Sequence, residues 1–223
     1  MRISLLNYFR HFFDSTNTEH PALEETDVVG PTVVWIHGAN QSDLSFAYLR
    51  SICGFKREIA INYSSMNRFG ENLPRMIGTL ADAGPVFVVG HSLGGLYGLH
   101  LTEHVNVVAG VSISTPFRGS SAADWAKYIV PNYPLFRDVG RKSLPVVDAT
   151  NISLEIPWTQ IVSTAGSVPY LNGANDGVVT VASMRCRDDM NYVEVPHTHY
   201  EVMCSNTVAN IILDCYNQAL ELL

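Results

Sequence analysis

The 223-residue chain is predicted to form an α/β fold with a mostly parallel sheet of about six strands and helices on both faces. Short apolar runs typical of buried strands alternate along the chain with longer segments of helical periodicity, and this alternation builds parallel sheets. Polar or glycine-rich stretches follow several of these runs directly. Because parallel α/β proteins gather their functional groups at the C-terminal ends of the strands, we expect the functional site at that edge.

Each predicted strand contains a short run of apolar residues, and each predicted helix has apolar residues at a spacing of three or four. The strands are 32–36, 58–62, 85–89, 105–114, 158–163 and 190–195. The helices are 44–52, 67–81, 93–101, 122–130, 180–187 and 206–222. Pro74 lies within the second helix and is expected to break it or to delay its start.

The composition describes one well-packed domain, with 47% hydrophobic and 16% charged residues. A net charge of -7 argues against a nucleic-acid partner, because contact with phosphates needs a basic surface. The four cysteines have no Cys-x-x-Cys spacing, which predicts reduced thiols. No apolar run has the length of a membrane-spanning helix and the N-terminus lacks a signal-peptide pattern, so the expected location is the cytoplasm.

The chain divides into an N-terminal segment, residues 1–27, and a folded domain, residues 28–223. Residues 3–13 predict a short amphipathic helix that packs on the domain, and contact with a membrane surface is the alternative. Aromatic residues and prolines are frequent in the stretch between the fourth and fifth strands. Residues 120–151 therefore predict either a lid over the site or an inert, well-packed connection, and the sequence leaves both open.

The sequence Gly90-His-Ser92-Leu-Gly94 lies between a predicted buried strand and a predicted helix. A serine on such a sharp turn leaves no room for side chains two residues away, which explains the glycine on either side. The turn also places Ser92 Oγ at the N-terminus of the helix, where backbone N–H groups favour developing negative charge. These features predict a nucleophile elbow with Ser92 as the nucleophile.

A serine hydroxyl needs a base that takes its proton and an acid that orients the base. Asp176 lies in a glycine-rich loop after the fifth strand, and Pro196-His197-Thr-His199 follows the sixth. The two histidines point the same way on extended chain, so alternation does not choose between them. The predicted oxyanion donors are the N–H of Leu93 and the N–H of Ala39, which follows a flexible glycine after the first strand.

These motifs together resemble the α/β-hydrolase superfamily, and within it the small bacterial lipases and esterases that lack the first strands of the full sheet. They are His37-Gly, Gly90-His-Ser-Leu-Gly-Gly, Asn175-Asp-Gly-Val-Val and His199-Tyr-Glu-Val-Met. The stretch from Ser114 to Ser120 is similar to a Thr-Pro-His-Arg-Gly-Ser stretch of such lipases, with Phe117 in place of the histidine. The resemblance covers roughly residues 30–215 and implies a minimal α/β-hydrolase fold.

The resemblance also implies the chain order nucleophile, acid, base, and ester hydrolysis through an acyl-enzyme. The spacing from His199 to the last helix is similar to that after the catalytic histidine of these lipases, so His199 is the predicted base. The expected substrate is a small-molecule acyl ester or a lipid, with no cofactor and no metal. Thioesterase or acyltransferase activity with the same residues is one alternative, and a non-catalytic binding protein on this scaffold is another.

Other residues compete for these roles. Asp148, Asp188 and Asp189 are rival acids, but the first lies in a proline-rich connection and the other two in a turn before a strand. His37 and His91 lack an acid partner in the pattern, so they are predicted to support the fold.

The sequence His100-Leu-Thr-Glu103-His104 matches the helical zinc motif His-x-x-Glu-His and gives a metallopeptidase alternative. We expect a partly exposed helix end there. Glu201 falls where some lipases carry an acidic calcium ligand, but a lone carboxylate is usually solvated, so no metal is predicted.

Overall fold

A computed structural model describes residues 30–119, 138–169 and 171–223. The predicted amphipathic helix at 3–13, the rest of the N-terminal segment 1–27 and the predicted helix 122–130 lie outside the described residues. So do residues 120–137 of the predicted lid.

The described residues form one six-stranded sheet in which every neighbouring pair of strands is parallel. The strands are β1 (Thr32–Ile36), β2 (Glu58–Ile61), β3 (Val86–His91), β4 (Val107–Ile113), β5 (Trp158–Ser163) and β6 (Asn191–Val195). Their order across the sheet is β2-β1-β3-β4-β5-β6. The predicted fold class is confirmed, and each predicted strand matches an observed one to within a few residues at its ends.

The strand order reverses direction at β1. The chain passes from β1 to β2 on one side, and then places β3 and all later strands on the other. The loops that leave the C-terminal ends of β1 and β3 therefore diverge and open a crevice between them. Ser92 directly follows β3 at this crevice.

Helices cover both faces of the sheet. They are α1 (Ala47–Cys53), α2 (Phe69–Leu80), α3 (Leu93–Leu101), α4 (Leu144–Asn151), α5 (Val181–Met184) and α6 (Asn206–Leu220). Short 3-10 turns at Asp43–Phe46 and Glu201–Cys204 precede α1 and α6. No helix in the described part of the chain is long and apolar enough to cross a membrane.

The strand side chains alternate between two separate hydrophobic cores. Val34 and Ile36 of β1 face the core under α2, α3 and α4. Val33 and Trp35 face the core under α1 and α6. Because both faces are covered, the central strands are apolar on both sides, as parallel strands in α/β proteins usually are.

The structure differs from the predicted helices at three places, and at one of them it contains a helix that the sequence did not predict. Pro74 lies inside α2 without ending it, because Glu71 caps the N-terminus by accepting the Arg68 N–H at 2.8 Å and the buried face of α2 holds the helix on the sheet. The helix α4 was not expected in a connection without periodicity. Proline in its first turn favours a helix start, and Val146 and Ala149 pack into the core. The helix predicted at 180–187 is only the single turn α5.

Candidate active site

The elbow holds Ser92 in a strained backbone conformation between β3 and α3, with φ 52° and ψ −118°. A Cβ atom on Gly90 would lie 2.6 Å from the Gly94 carbonyl, and one on Gly94 would lie 1.9 Å from the Ile36 oxygen. Backbone atoms cannot move aside as a flexible side chain would, so both positions require glycine. This is the steric cause that the sequence pattern predicts.

The loop after β1 passes directly beside Ser92, because a Cβ on Gly38 would lie only 3.3 Å from the Ser92 Cβ. The Gly38 N–H is already engaged by Gln41 Oε1 at 3.1 Å. The N–H groups of Ala39 and Leu93 donate no hydrogen bond within the described part of the chain. Leu93 directly follows Ser92, and Ala39 lines the same cavity as Ser92.

His37 fixes the shape of this loop. Its Nε2 accepts the Tyr63 N–H at 3.1 Å, so the ring proton is on Nδ1, which donates to the Gly38 oxygen at 2.7 Å. The ring also stacks on Tyr63 at a centroid distance of 4.2 Å. Burial lowers the pKa of His37, which keeps the ring neutral. His37 supports the loop, as expected.

Asp176 is buried, and its carboxylate accepts four hydrogen bonds from described residues. Its Oδ1 accepts the N–H groups of Val178 and Val179 at 2.9 and 2.7 Å. Its Oδ2 accepts Ser163 Oγ at 2.6 Å and His199 Nδ1 at 2.7 Å. Burial alone would raise the pKa of Asp176, but these donors outweigh burial and hold the pKa below its usual value. The carboxylate is therefore ionised at neutral pH.

His199 is buried beside Asp176 and is tied to it twice. Besides the bond between the two side chains, the backbone N–H of His199 donates to the backbone carbonyl oxygen of Asp176 at 2.9 Å. His199 and Ser92 line the same cavity of about 200 Å³, together with residues of the loop after β1. Ser92 Oγ and His199 Nε2 are not joined by a hydrogen bond here, and a hydrogen bond between a nucleophile and its base often tightens only when a substrate binds.

The rim of this cavity is partly apolar. Val178 and Tyr200 line it and are 38% and 60% exposed, so apolar surface faces solvent at its mouth. Both residues lie next to members of the site, Val178 two residues after Asp176 and Tyr200 directly after His199.

The remaining histidines of the two motifs have supporting contacts. His197 Nε2 lies 2.9 Å from the hydroxyl of Ser205, which caps the N-terminus of α6. His91 is fully buried, with its ring nitrogens 3.0 Å from Gln41 Oε1 and from the His199 oxygen. Burial, with a smaller contribution from the neighbouring His199, lowers the pKa of His91 to about 3.

The rival acids lie away from the pair that Asp176 forms with His199. Asp189 binds the Arg187 guanidinium at 2.5 Å and accepts the Leu154 N–H at 3.1 Å. Asp148 and Asp188 are exposed, the former on α4.

The zinc motif does not form. The helix α3 ends at Leu101, so Glu103 and His104 lie beyond it, and His100 Nε2 is 2.9 Å from the Pro145 oxygen. Glu201 is exposed and accepts hydrogen bonds from Thr198. Residues 30–119, 138–169 and 171–223 contain no group of three or more side chains that could hold a metal ion.

Three residues at the site were not singled out from the sequence. Gln41 lines the cavity and holds the loop after β1. Ser163 is the last residue of β5, and its hydroxyl forms a hydrogen bond with Asp176. Ser114 directly follows β4, and its hydroxyl forms a hydrogen bond with Ser163 at 2.6 Å. A serine at the C-terminal end of an otherwise apolar strand is a signal that the sequence does contain.

A parallel α/β sheet with a serine on a strand-turn-helix elbow at its C-terminal edge is the architecture of a hydrolase. The model of the alpha/beta hydrolase family matches residues 33–188, and the chain belongs to that family. No curated protein sequence matches this chain.

Solved structures share the fold at low sequence identity. The mature form of Bacillus licheniformis lipase BlEst2 is 17% identical with a TM-score of 0.73, over 87% of this chain and 95% of that one. Phospholipase PlaB from Legionella pneumophila is 13% identical with a TM-score of 0.63, over 87% of this chain and 62% of that one. Tomato methylketone synthase I, complexed with 2-tridecanone, is 14% identical with a TM-score of 0.57, over 86% of this chain and 99% of that one.

Proposed function

We propose that the protein is a serine hydrolase that cleaves carboxylic esters through an acyl-enzyme, with Ser92 as nucleophile, His199 as base and Asp176 as the orienting acid. The observation that carries this proposal is the 2.7 Å bond from His199 Nδ1 to Asp176 Oδ2, beside a cavity that His199 shares with Ser92. An imidazole whose Nδ1 carries the proton presents a lone pair on Nε2, which is the form that a general base needs.

In the first half-reaction, Ser92 Oγ forms a bond to the ester carbonyl carbon while His199 Nε2 takes the hydroxyl proton. The electron pair of the C=O bond moves to the oxygen. Asp176 keeps its negative charge opposite the imidazolium and holds the Nδ1 proton on the ring.

The oxyanion of this tetrahedral intermediate accepts hydrogen bonds from the N–H groups of Ala39 and Leu93. Neither N–H donates a hydrogen bond to another group among residues 30–119, 138–169 and 171–223. The Leu93 N–H also belongs to the first turn of α3, whose dipole favours negative charge at this end.

When the intermediate collapses, the bond to the alcohol oxygen breaks and His199 returns the proton to the leaving alcohol. Water then attacks the acyl-Ser92 ester by the same route and releases the carboxylic acid. No cofactor takes part in these steps.

Two observations support an acyl ester or a lipid-like ester as substrate. The apolar rim formed by Val178 and Tyr200 suits an alkyl or acyl group at the mouth of the cavity. The structural neighbours include proteins named as a lipase and a phospholipase, and both names denote cleavage of esters.

The test is the hydrolysis of p-nitrophenyl esters over a series of acyl-chain lengths, beside acyl thioesters of the same lengths. We expect turnover of esters by the wild type and a loss of several powers of ten in Ser92→Ala, which lacks a single oxygen atom. Turnover of thioesters alone would replace the ester proposal by a thioesterase. Absence of turnover on both series would contradict the proposal and favour a binding protein.

A further inference from the structure

Two serine hydroxyls extend the hydrogen-bond network of Asp176 into the sheet. Ser163 ends β5 and Ser114 follows β4, and both side chains are fully buried. Ser163 Oγ lies 2.6 Å from Asp176 Oδ2 and 2.6 Å from Ser114 Oγ. The two hydroxyls therefore form an unbroken line that ends on the oxygen that also binds His199 Nδ1.

The chemistry of the groups fixes the direction of this line. An ionised carboxylate only accepts, so the single proton of Ser163 points to Asp176. The Ser163 oxygen must then be the acceptor toward Ser114, which donates. Hydrogen bonds in such a chain polarise one another, so Ser114 strengthens the donation from Ser163.

The backbone of Ser114 gives independent support. Its φ is 53°, and the other non-glycine residues with positive φ in the described ranges are Asn40 and Ser92, both at the candidate site. A serine in this region is strained and a glycine would not be. A strained residue persists only where the surrounding structure holds it in place, and strained residues cluster at functional sites. The only hydrogen bond of the Ser114 hydroxyl within the described residues is the one to Ser163.

We propose that Ser163 and Ser114 are positioning residues of the reaction, which hold the Asp176 carboxylate in place against His199 while His199 carries the serine proton. The inference rests on the proposed function. A carboxylate that accepts three other donors has less affinity for the Nδ1 proton, so this proton stays on the ring when the imidazolium forms. Among the described residues, the titratable groups that face Asp176 are His199 and, more remotely, His91, whose burial keeps it neutral.

The test compares Ser163→Ala and Ser114→Gly with Ser112→Ala. Glycine suits the backbone of residue 114, so Ser114→Gly removes the hydroxyl without adding strain. Ser112 is the matched control, because it is a fully buried serine on β4 whose oxygen accepts Trp158 Nε1 at 3.0 Å and does not touch Asp176. For each variant, kcat and KM for a p-nitrophenyl ester are measured against pH, and the acid-unfolding midpoint is followed by circular dichroism.

For Ser163→Ala we expect kcat to fall about 10-fold with KM unchanged, since a hydrogen bond to a charged group contributes roughly that much or more. The acidic limb of kcat/KM should move to higher pH, because an Asp176 carboxylate that has lost a donor attracts the imidazolium proton across the 2.7 Å bond to His199 more strongly. The acid-unfolding midpoint should move in the same direction. Ser114→Gly should show smaller shifts of the same sign, and Ser112→Ala should keep the wild-type acidic limb.

A wild-type acidic limb and acid midpoint in Ser163→Ala and Ser114→Gly would overturn the proposal. The proposal would also be overturned if the acidic limb and the acid-unfolding midpoint shifted as far in Ser112→Ala as in Ser163→Ala. The acid-unfolding midpoint is measured without substrate, so it tests the hydrogen-bond network even if the wild type cleaves no ester. Absence of ester cleavage by the wild type would reject the proposed function and not this network. If Ser163→Ala does not fold, the acidic limb of Ser114→Gly decides the matter.

Discussion

Replacing Asp176 by Asn changes one carboxylate oxygen to an NH₂ group at nearly constant volume. In the wild type both oxygens accept, Oδ1 from the N–H groups of Val178 and Val179 and Oδ2 from Ser163 and His199. The two backbone donors cannot turn away, so the single amide oxygen must face them. The NH₂ group then faces Ser163 Oγ and His199 Nδ1.

Ser163 satisfies the amide by rotating its hydroxyl, but the imidazole can accept a hydrogen bond at Nδ1 only by carrying its proton on Nε2. That tautomer has no lone pair for the proton of Ser92. We expect kcat to fall on the order of 10⁴-fold, or about 5 kcal/mol in the activation barrier. The loss of a charge-assisted bond should lower the free energy of unfolding by only about 1–3 kcal/mol, so the variant should stay folded.

The assay is the steady-state kinetics of Asp176→Asn on the best p-nitrophenyl ester, beside urea unfolding. Asp189→Asn is the matched control. Asp189 also accepts a backbone N–H and pairs with a cationic side chain, but its partner is Arg187 and it lies away from the site. The control should lose less than about 3-fold in kcat. Near wild-type activity in Asp176→Asn, or an equal loss in Asp189→Asn, would refute the argument.

His199→Ala should lower kcat by about 10⁴- to 10⁶-fold. His197→Ala loses only a contact to the cap of α6, so its kcat should fall by less than about 10-fold. The reverse ranking would assign the role of base to His197. Gly94→Ala forces a methyl to 1.9 Å from a backbone oxygen and should cost roughly 3 kcal/mol or more in urea unfolding. Gly78→Ala, in open space on α2, should stabilise by about 1 kcal/mol, and similar values for both would contradict the steric account. Burial lowers the pKa of His91 from 6.5 to about 3, so the unfolded chain binds a proton that the folded chain excludes, and stability should fall as the pH drops through that window. Equal urea midpoints at about pH 7 and about pH 5 would contradict this.

The parts of the fold that local pattern determines could be predicted from the sequence. The alternation of apolar strands with helical segments along the chain predicted the parallel sheet. The elbow could be predicted because its steric demand acts between residues close in the chain, Gly90 and Gly94 on either side of Ser92. The helix α4 could not, because its apolar residues show no clear period and its stability comes from packing on α3 and the sheet. Pro74 misled the interpretation of α2 for the same reason, since tertiary burial outweighs the missing hydrogen bond.

The site followed a similar division. Asp176 could be proposed because it follows a strand whose C-terminal end lies at the edge of the sheet that carries Ser92. The choice of His199 over His197 came from the resemblance to the lipases, because both histidines follow β6. Ser114 and Ser163 are 49 positions apart in sequence and meet only because β4 and β5 are neighbours in register. Gln41 is 50 positions from His91, and their contact depends on how the loop after β1 turns. Contacts of this kind depend on tertiary structure, which periodicity does not encode.

Fluorophosphonate labelling tests the central claim, an activated Ser92, most directly, because it requires the nucleophile, the base and the oxyanion donors but no knowledge of the substrate. The mass of the intact protein should increase by one adduct, and peptide mapping should place that adduct on Ser92. Ser92→Ala should gain no adduct while its circular dichroism spectrum stays that of the wild type. An adduct that persists in Ser92→Ala, or that maps to another residue of the wild type, would contradict the account.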